Sequence, residues 1–88
     1  MRFQVYLSSF CPYCELARQL LDGQGYGYDE VRVDRDPEQR RIMEARAGRS
    51  SVPQIFLGDT HIGGYDDLAA LHRSGALTEL VERVGGAA

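Results

Sequence analysis

Two alternating apolar runs bracket a helical repeat within residues 3–33, and few folds accommodate that order in a chain of 88 residues. Phe3, Val5 and Leu7 alternate with Arg2, Gln4 and Tyr6, the period of a strand with one buried face. Leu16, Ala17, Leu20 and Leu21 then recur at helical spacing from Pro12 until Gly23 offers a stop. In Tyr28 to Val33 the alternation returns, with Val31 and Val33 set against Glu30 and Arg32. Strand, helix and strand this close together read as a right-handed βαβ unit with parallel strands.

The remaining chain extends the same plan. Asp36-Pro37 is a helix cap followed by a first-turn proline, and the charged stretch Glu38 to Ala47 ends at Gly48. Most arginines there belong to a solvated helix face. Val52-Pro53 opens Gln54 to Leu57, and after Gly58-Asp59 the chain returns through Thr60 to Ile62 as a hairpin. Gly63-Gly64-Tyr65-Asp66-Asp67 leads into a helix with Leu68 and Leu71 inward, stopped by Gly75. Leu77, Leu80, Val81 and Val84 mark a last helix, and residues 85–88 read as a frayed tail. The sum is an α/β fold, βαβαββαα, with a four-stranded mixed sheet flanked by helices, and residues 1–88 are expected to form one domain.

Composition narrows the function. A hydrophobic fraction of 43% and a charged fraction of 26% suit a soluble globular protein, and no apolar run approaches membrane-spanning length. The N-terminus lacks the pattern of a signal peptide, so the expected location is the cytoplasm. A net charge of −3 gives no reason to expect nucleic-acid binding. The chain is expected to work as a monomer.

The chemistry concentrates in Phe10-Cys11-Pro12-Tyr13-Cys14, which holds both cysteines of the chain. A sulfur at the first turn of a helix faces unpaired N–H groups and the positive end of the macrodipole, which favours a thiolate nucleophile. Cys11 is the expected nucleophile. Cys14, one turn on, is placed to attack a mixed disulfide formed there. A structural disulfide across so short a loop would constrain little, and a zinc site would need ligands beyond the distant His61 and His72, so no metal is expected.

Cys-Pro-Tyr-Cys after a first strand, Ser51-Val52-Pro53 before a third and Gly63-Gly64-Tyr65-Asp66-Asp67 after a fourth together resemble a glutaredoxin of the small bacterial dithiol type. The resemblance implies the thioredoxin fold, with Pro53 in a cis peptide facing the cysteines. It also implies reduction of protein disulfides and of glutathione mixed disulfides, with glutathione as co-substrate and disulfide-containing or glutathionylated proteins as partners.

For glutathione binding the resemblance points to Tyr13, Arg40, Val52, Pro53, Gly64, Tyr65, Asp66 and Asp67. Val52 would pair with the cysteinyl backbone as an added strand, Gly64 and the helix start after it would take the γ-glutamyl carboxylate, and Asp66 or Asp67 the ammonium. One of the two aspartates is expected to serve as a helix cap instead. Such relatives usually carry a lysine where Ser8 stands, a cation implicated in holding the glycyl carboxylate. Ser8 has no charge for that task, so Arg40, Arg41 and Arg49 are the candidates, Arg40 first, and weaker glutathione affinity or a less favoured Cys11 thiolate than in relatives with the lysine is expected.

Overall fold

The computed structural model describes residues 2–85. Strand β1 (Phe3–Leu7) runs into helix α1 (Pro12–Gly23), followed by β2 (Tyr28–Arg32), α2 (Pro37–Ala47), the hairpin β3 (Gln54–Leu57) and β4 (Thr60–Gly63), and helices α3 (Tyr65–Ser74) and α4 (Ala76–Gly85). The order is that read from the sequence. The sheet runs β2-β1-β3-β4, with β1 parallel to β2 and antiparallel to β3, and β3 antiparallel to β4.

Helix boundaries follow local chemistry. The side chain of Asp36 accepts from the N–H groups of Glu38 and Gln39 at 3.1 and 3.3 Å, and Pro37 gives up no hydrogen bond at the first helical position. Gly48 closes α2 in the left-handed conformation, φ 68°. Helix α1 runs through Gly23 and is capped by Gln24, one residue beyond the expected stop. Gly85 belongs to α4 and not to a tail, while residues 86–88 of the expected tail lie outside the described residues.

Two apolar clusters lie on opposite faces of the sheet. On one face Phe3, Val5, Leu7, Ile55 and Leu57 pack with Cys14, Ala17 and Leu21 of α1, Leu68 of α3 and Leu77 of α4. On the other, Tyr6 and Phe56 pack with Val33 and with Met43 of α2. Strand β1 is therefore buried on both faces, contrary to the alternation that suggested one, because it lies inside the sheet and α2 covers its second side. Leu16, by contrast, faces outward from α1 and is 38% exposed.

Register decides what meets at the end of the sheet. Tyr6 pairs with Gln54, Leu7 with Arg32, and Ile55 with Gly63. The residues after β1, before β3 and after β4, together with the end of β2, thus converge on one edge of the molecule. Three sequence motifs far apart in the chain lie there.

Candidate active site

Cys11 occupies the N-cap of α1 with extended backbone, and its Sγ accepts the N–H of Cys14 at 3.2 Å. The sulfur thus takes the part that a serine or aspartate oxygen usually plays at a helix start. Cys11 is half-buried and Cys14 buried, and both are thiols. Burial, reinforced by the hydrogen bond to Cys11, pushes the Cys14 thiol up to about 12, against the opposing pull of the Ser8 backbone and Arg18. Cys14 is therefore a protonated thiol throughout the neutral range. The pair combines one reachable sulfur with one shielded proton-bearing sulfur a turn behind it.

The loop before β3 closes over Cys11. The peptide Val52-Pro53 is cis, and the carbonyl oxygen of Val52 lies 3.9 Å from Cys11 Sγ, facing the thiol. Gln54 pins this loop from inside. Fully buried, it donates through Nε2 to the carbonyl of Ser51 at 3.0 Å and to its hydroxyl at 3.3 Å. Its Oε1 faces Nε2 of His61 at 2.8 Å, and His61 in turn stacks on Phe56 with centroids 4.7 Å apart. The sequence assigned Gln54 no role beyond opening β3 and offered His61 only as a distant zinc ligand. A polar residue opening an otherwise apolar strand was the available signal.

Beside the loop runs a groove of about 280 Å³, lined by Tyr13, Ser51, Val52, Pro53, Gly64, Tyr65, Asp66, Asp67 and Arg49. Every groove residue anticipated from the sequence borders it except Arg40. That guanidinium donates to the carbonyl of Ser50 at 3.0 Å, and Arg49 is the cation that borders the groove. The rings of Tyr13 and Tyr65 lie 6.3 Å apart, tilted by 32°, and form one wall. Neither of the remaining arginines of α2 is at the site: Arg41 pairs with Glu38, and Arg46 lies 4.0 Å over the ring of Phe56 and donates to Tyr6 Oη at 2.8 Å.

The two aspartates are not equivalent. Asp67 Oδ2 accepts the N–H of Gly64 at 3.0 Å and the guanidinium of Arg49 at 3.2 Å, and these bonds hold its carboxyl below the usual carboxylate range. Asp67 is thus the residue that caps α3, while Asp66 stands exposed at the groove edge. Gly63 makes this fold-back possible: at φ 117° it adopts a conformation foreign to other residues, and a Cβ there would run into the Asp67 carboxyl group.

A dithiol of unequal exposure at a helix start, facing a cis-proline loop on a β2-β1-β3-β4 sheet, defines a thiol–disulfide oxidoreductase with the thioredoxin fold. A glutaredoxin family model matches residues 3–62, and the chain belongs to the glutaredoxin family. It is 47% identical over 78 residues to a glutaredoxin of Neisseria meningitidis, covering 88% of this chain and 92% of that one. Its identity to glutaredoxin 3 of Escherichia coli is 42% over 79 residues, or 90% and 95% of the two chains. A crystal structure of a buckwheat glutaredoxin–glutathione complex superposes with a TM-score of 0.85 at 28% identity, over 94% of this chain and 78% of that one.

Proposed function

We propose that this protein reduces protein disulfides and glutathione mixed disulfides at the expense of glutathione. The observation that carries the reading is the Val52 carbonyl 3.9 Å from Cys11 Sγ, with Val52 also lining the adjoining groove. The solved complex of a buckwheat relative with glutathione supports the choice of tripeptide. In this reading Val52 pairs with the cysteinyl backbone, Pro53, Tyr13 and Tyr65 wall the groove, and the N–H groups at Gly64 and the start of α3 take the γ-glutamyl carboxylate. Asp66 takes the ammonium, since Asp67 is engaged with Gly64 and Arg49. Arg40 and Arg49 flank the Ser50-Ser51 segment and are the cations available for the glycyl carboxylate.

For a glutathionylated protein, the Cys11 thiolate attacks the glutathione sulfur. A Cys11–glutathione bond forms, and the protein leaves as a thiolate that takes up a proton. A second glutathione thiolate then attacks the bound glutathione sulfur, releasing oxidised glutathione and free Cys11. For a protein disulfide, Cys11 forms the mixed disulfide and Cys14 attacks the Cys11 sulfur, its proton passing to the departing protein thiolate. Two glutathiones reduce the resulting Cys11–Cys14 disulfide. The reading takes the chain as a single domain that works as a monomer in the cytoplasm.

Recycling assays separate this from a thioredoxin-like donor. Turnover of a glutathione mixed disulfide is expected with glutathione and glutathione reductase and not with thioredoxin reductase. Turnover supported by thioredoxin reductase alone would reject the proposal.

A further inference from the structure

A second cleft, of about 480 Å³, opens on the other side of Cys11, lined by residues that the glutathione reading does not use: Ser8, Phe10, Glu15, Arg18 and Arg32 beside the two cysteines. Its charges are unevenly matched. Arg18 is neutralised by Glu15 at 3.2 Å and Glu30 at 2.9 Å. Arg32, half-buried at the end of β2, meets no carboxylate within 4.0 Å among the described residues, and its guanidinium rests on the hydroxyl of Ser9 at 3.2 Å. Asp34 accepts the N–H of the same Ser9 at 3.1 Å. Arg32 is therefore the guanidinium of this lining that no carboxylate contacts directly among the described residues.

Phe10 stands at the rim. It is wholly exposed and adopts φ 57°, a left-handed conformation in which bulky side chains are rare. Its neighbours are fixed, Ser9 by Arg32 and Asp34 and Cys11 by the start of α1, so the ring is held out into water on an anchored loop. An aromatic ring and an unpaired guanidinium beside a reactive sulfur suit a polypeptide that presents an apolar and an acidic side chain next to its own cysteine.

We propose that this cleft is the docking site for protein substrates and selects disulfide-bearing segments with an acidic and an apolar residue beside the target cysteine. Arg32 and Phe10 are the specificity-determining residues. The inference rests on the oxidoreductase reading above but not on its glutathione groove.

Trapping tests it without glutathione. The Cys14→Ser protein is mixed with equal amounts of two peptides, each carrying a cysteine in disulfide linkage to the same small thiol, with acidic-apolar or basic-apolar flanks. Mass spectrometry then reads which peptide is captured on Cys11. A preference of about fivefold for the acidic peptide is expected, the size of one half-exposed charge pair. It should vanish with Arg32→Gln and reverse with Arg32→Glu, while Phe10→Ser lowers capture of both peptides. Turnover of a small glutathione mixed disulfide by Arg32→Gln and Phe10→Ser, each with Cys14 intact, should stay within about twofold of the parent. Equal capture of the two peptides, a preference that survives Arg32→Gln, or a parallel loss of small-substrate turnover would overturn the proposal. Peptide selection without any glutathione turnover would leave the docking site standing and reject the glutathione reading alone.

Discussion

The N–H of Cys14 donates to Sγ of Cys11 across 3.2 Å, so the first turn of α1 is capped by the sulfur it presents to solvent. The same turn buries Cys14 against Ala17, Leu21 and the sheet. One helix start therefore makes two sulfurs of the same chemical type behave differently, one reachable and one shielded.

That asymmetry predicts an order of alkylation. At neutral pH iodoacetamide should modify Cys11 well before Cys14, as read by peptide mapping of a time course. Cys14→Ser should retain turnover of glutathione mixed disulfides and accumulate trapped protein partners. Cys11→Ser should lose both activities.

The Cys14 thiol, pushed up to about 12 by burial and by its bond to Cys11, also predicts alkaline sensitivity. Above pH 9.0 the unfolded chain releases this proton while the folded chain keeps it, so the linked stability is complete below that pH and is lost as the pH rises toward about 12. Urea midpoints of the reduced protein should fall across this window. Cys14→Ala should lower stability at pH 7 yet flatten the alkaline decline.

Gly63 and Asp67 form a matched pair. Gly63→Ala places a methyl group against the Asp67 carboxyl in a backbone region that suits only glycine, and should cost about 1–3 kcal/mol in urea unfolding. Asp67→Asn keeps the shape but weakens the bonds to Gly64 and Arg49, and should raise the KM for glutathione substrates with little change in kcat. Because the Asp67 pKa is lowered in the folded protein, its stabilising effect is present above the ordinary carboxylate pKa and disappears as pH falls through the folded value. The stability gap between Asp67→Asn and the parent should close in acid.

Gln54→Leu should be destabilising by about 1–3 kcal/mol, since it strips partners from the Ser51 carbonyl and from His61. In a domain of this size that corresponds to a fall in melting temperature of roughly 4–8 °C per kcal/mol. The same change frees the loop that presents Val52, so kcat/KM for glutathione substrates should fall further than stability alone accounts for. An unaltered kcat/KM at a temperature where the variant is folded would show that the loop does not need Gln54.

His61 gives the acid-side counterpart. Burial, with help from Arg49 and Arg46, holds its pKa below the usual imidazole value. Below about pH 6.5 the unfolded chain takes up this proton first, so stability should decline as pH falls from there, and His61→Phe should remove that part of the decline.

Local patterning was sufficient for element order, for the helix cap built on Asp36, and for the cysteine pair with its flanking proline motifs. Those features depend on neighbours in sequence: alternation, helical spacing, a capping side chain or a proline at a first turn. Tertiary structure alone decided the burial of Tyr6, the bordering of the groove by Arg49, the pairing of Arg49 with Asp67, and the placing of Arg32. Each of these turns on which elements lie side by side, and residues 18 or more positions apart carry no local mark of that pairing. A parallel pairing of Leu7 with Arg32 sets a cation beside the cysteines, and nothing within either strand announces it.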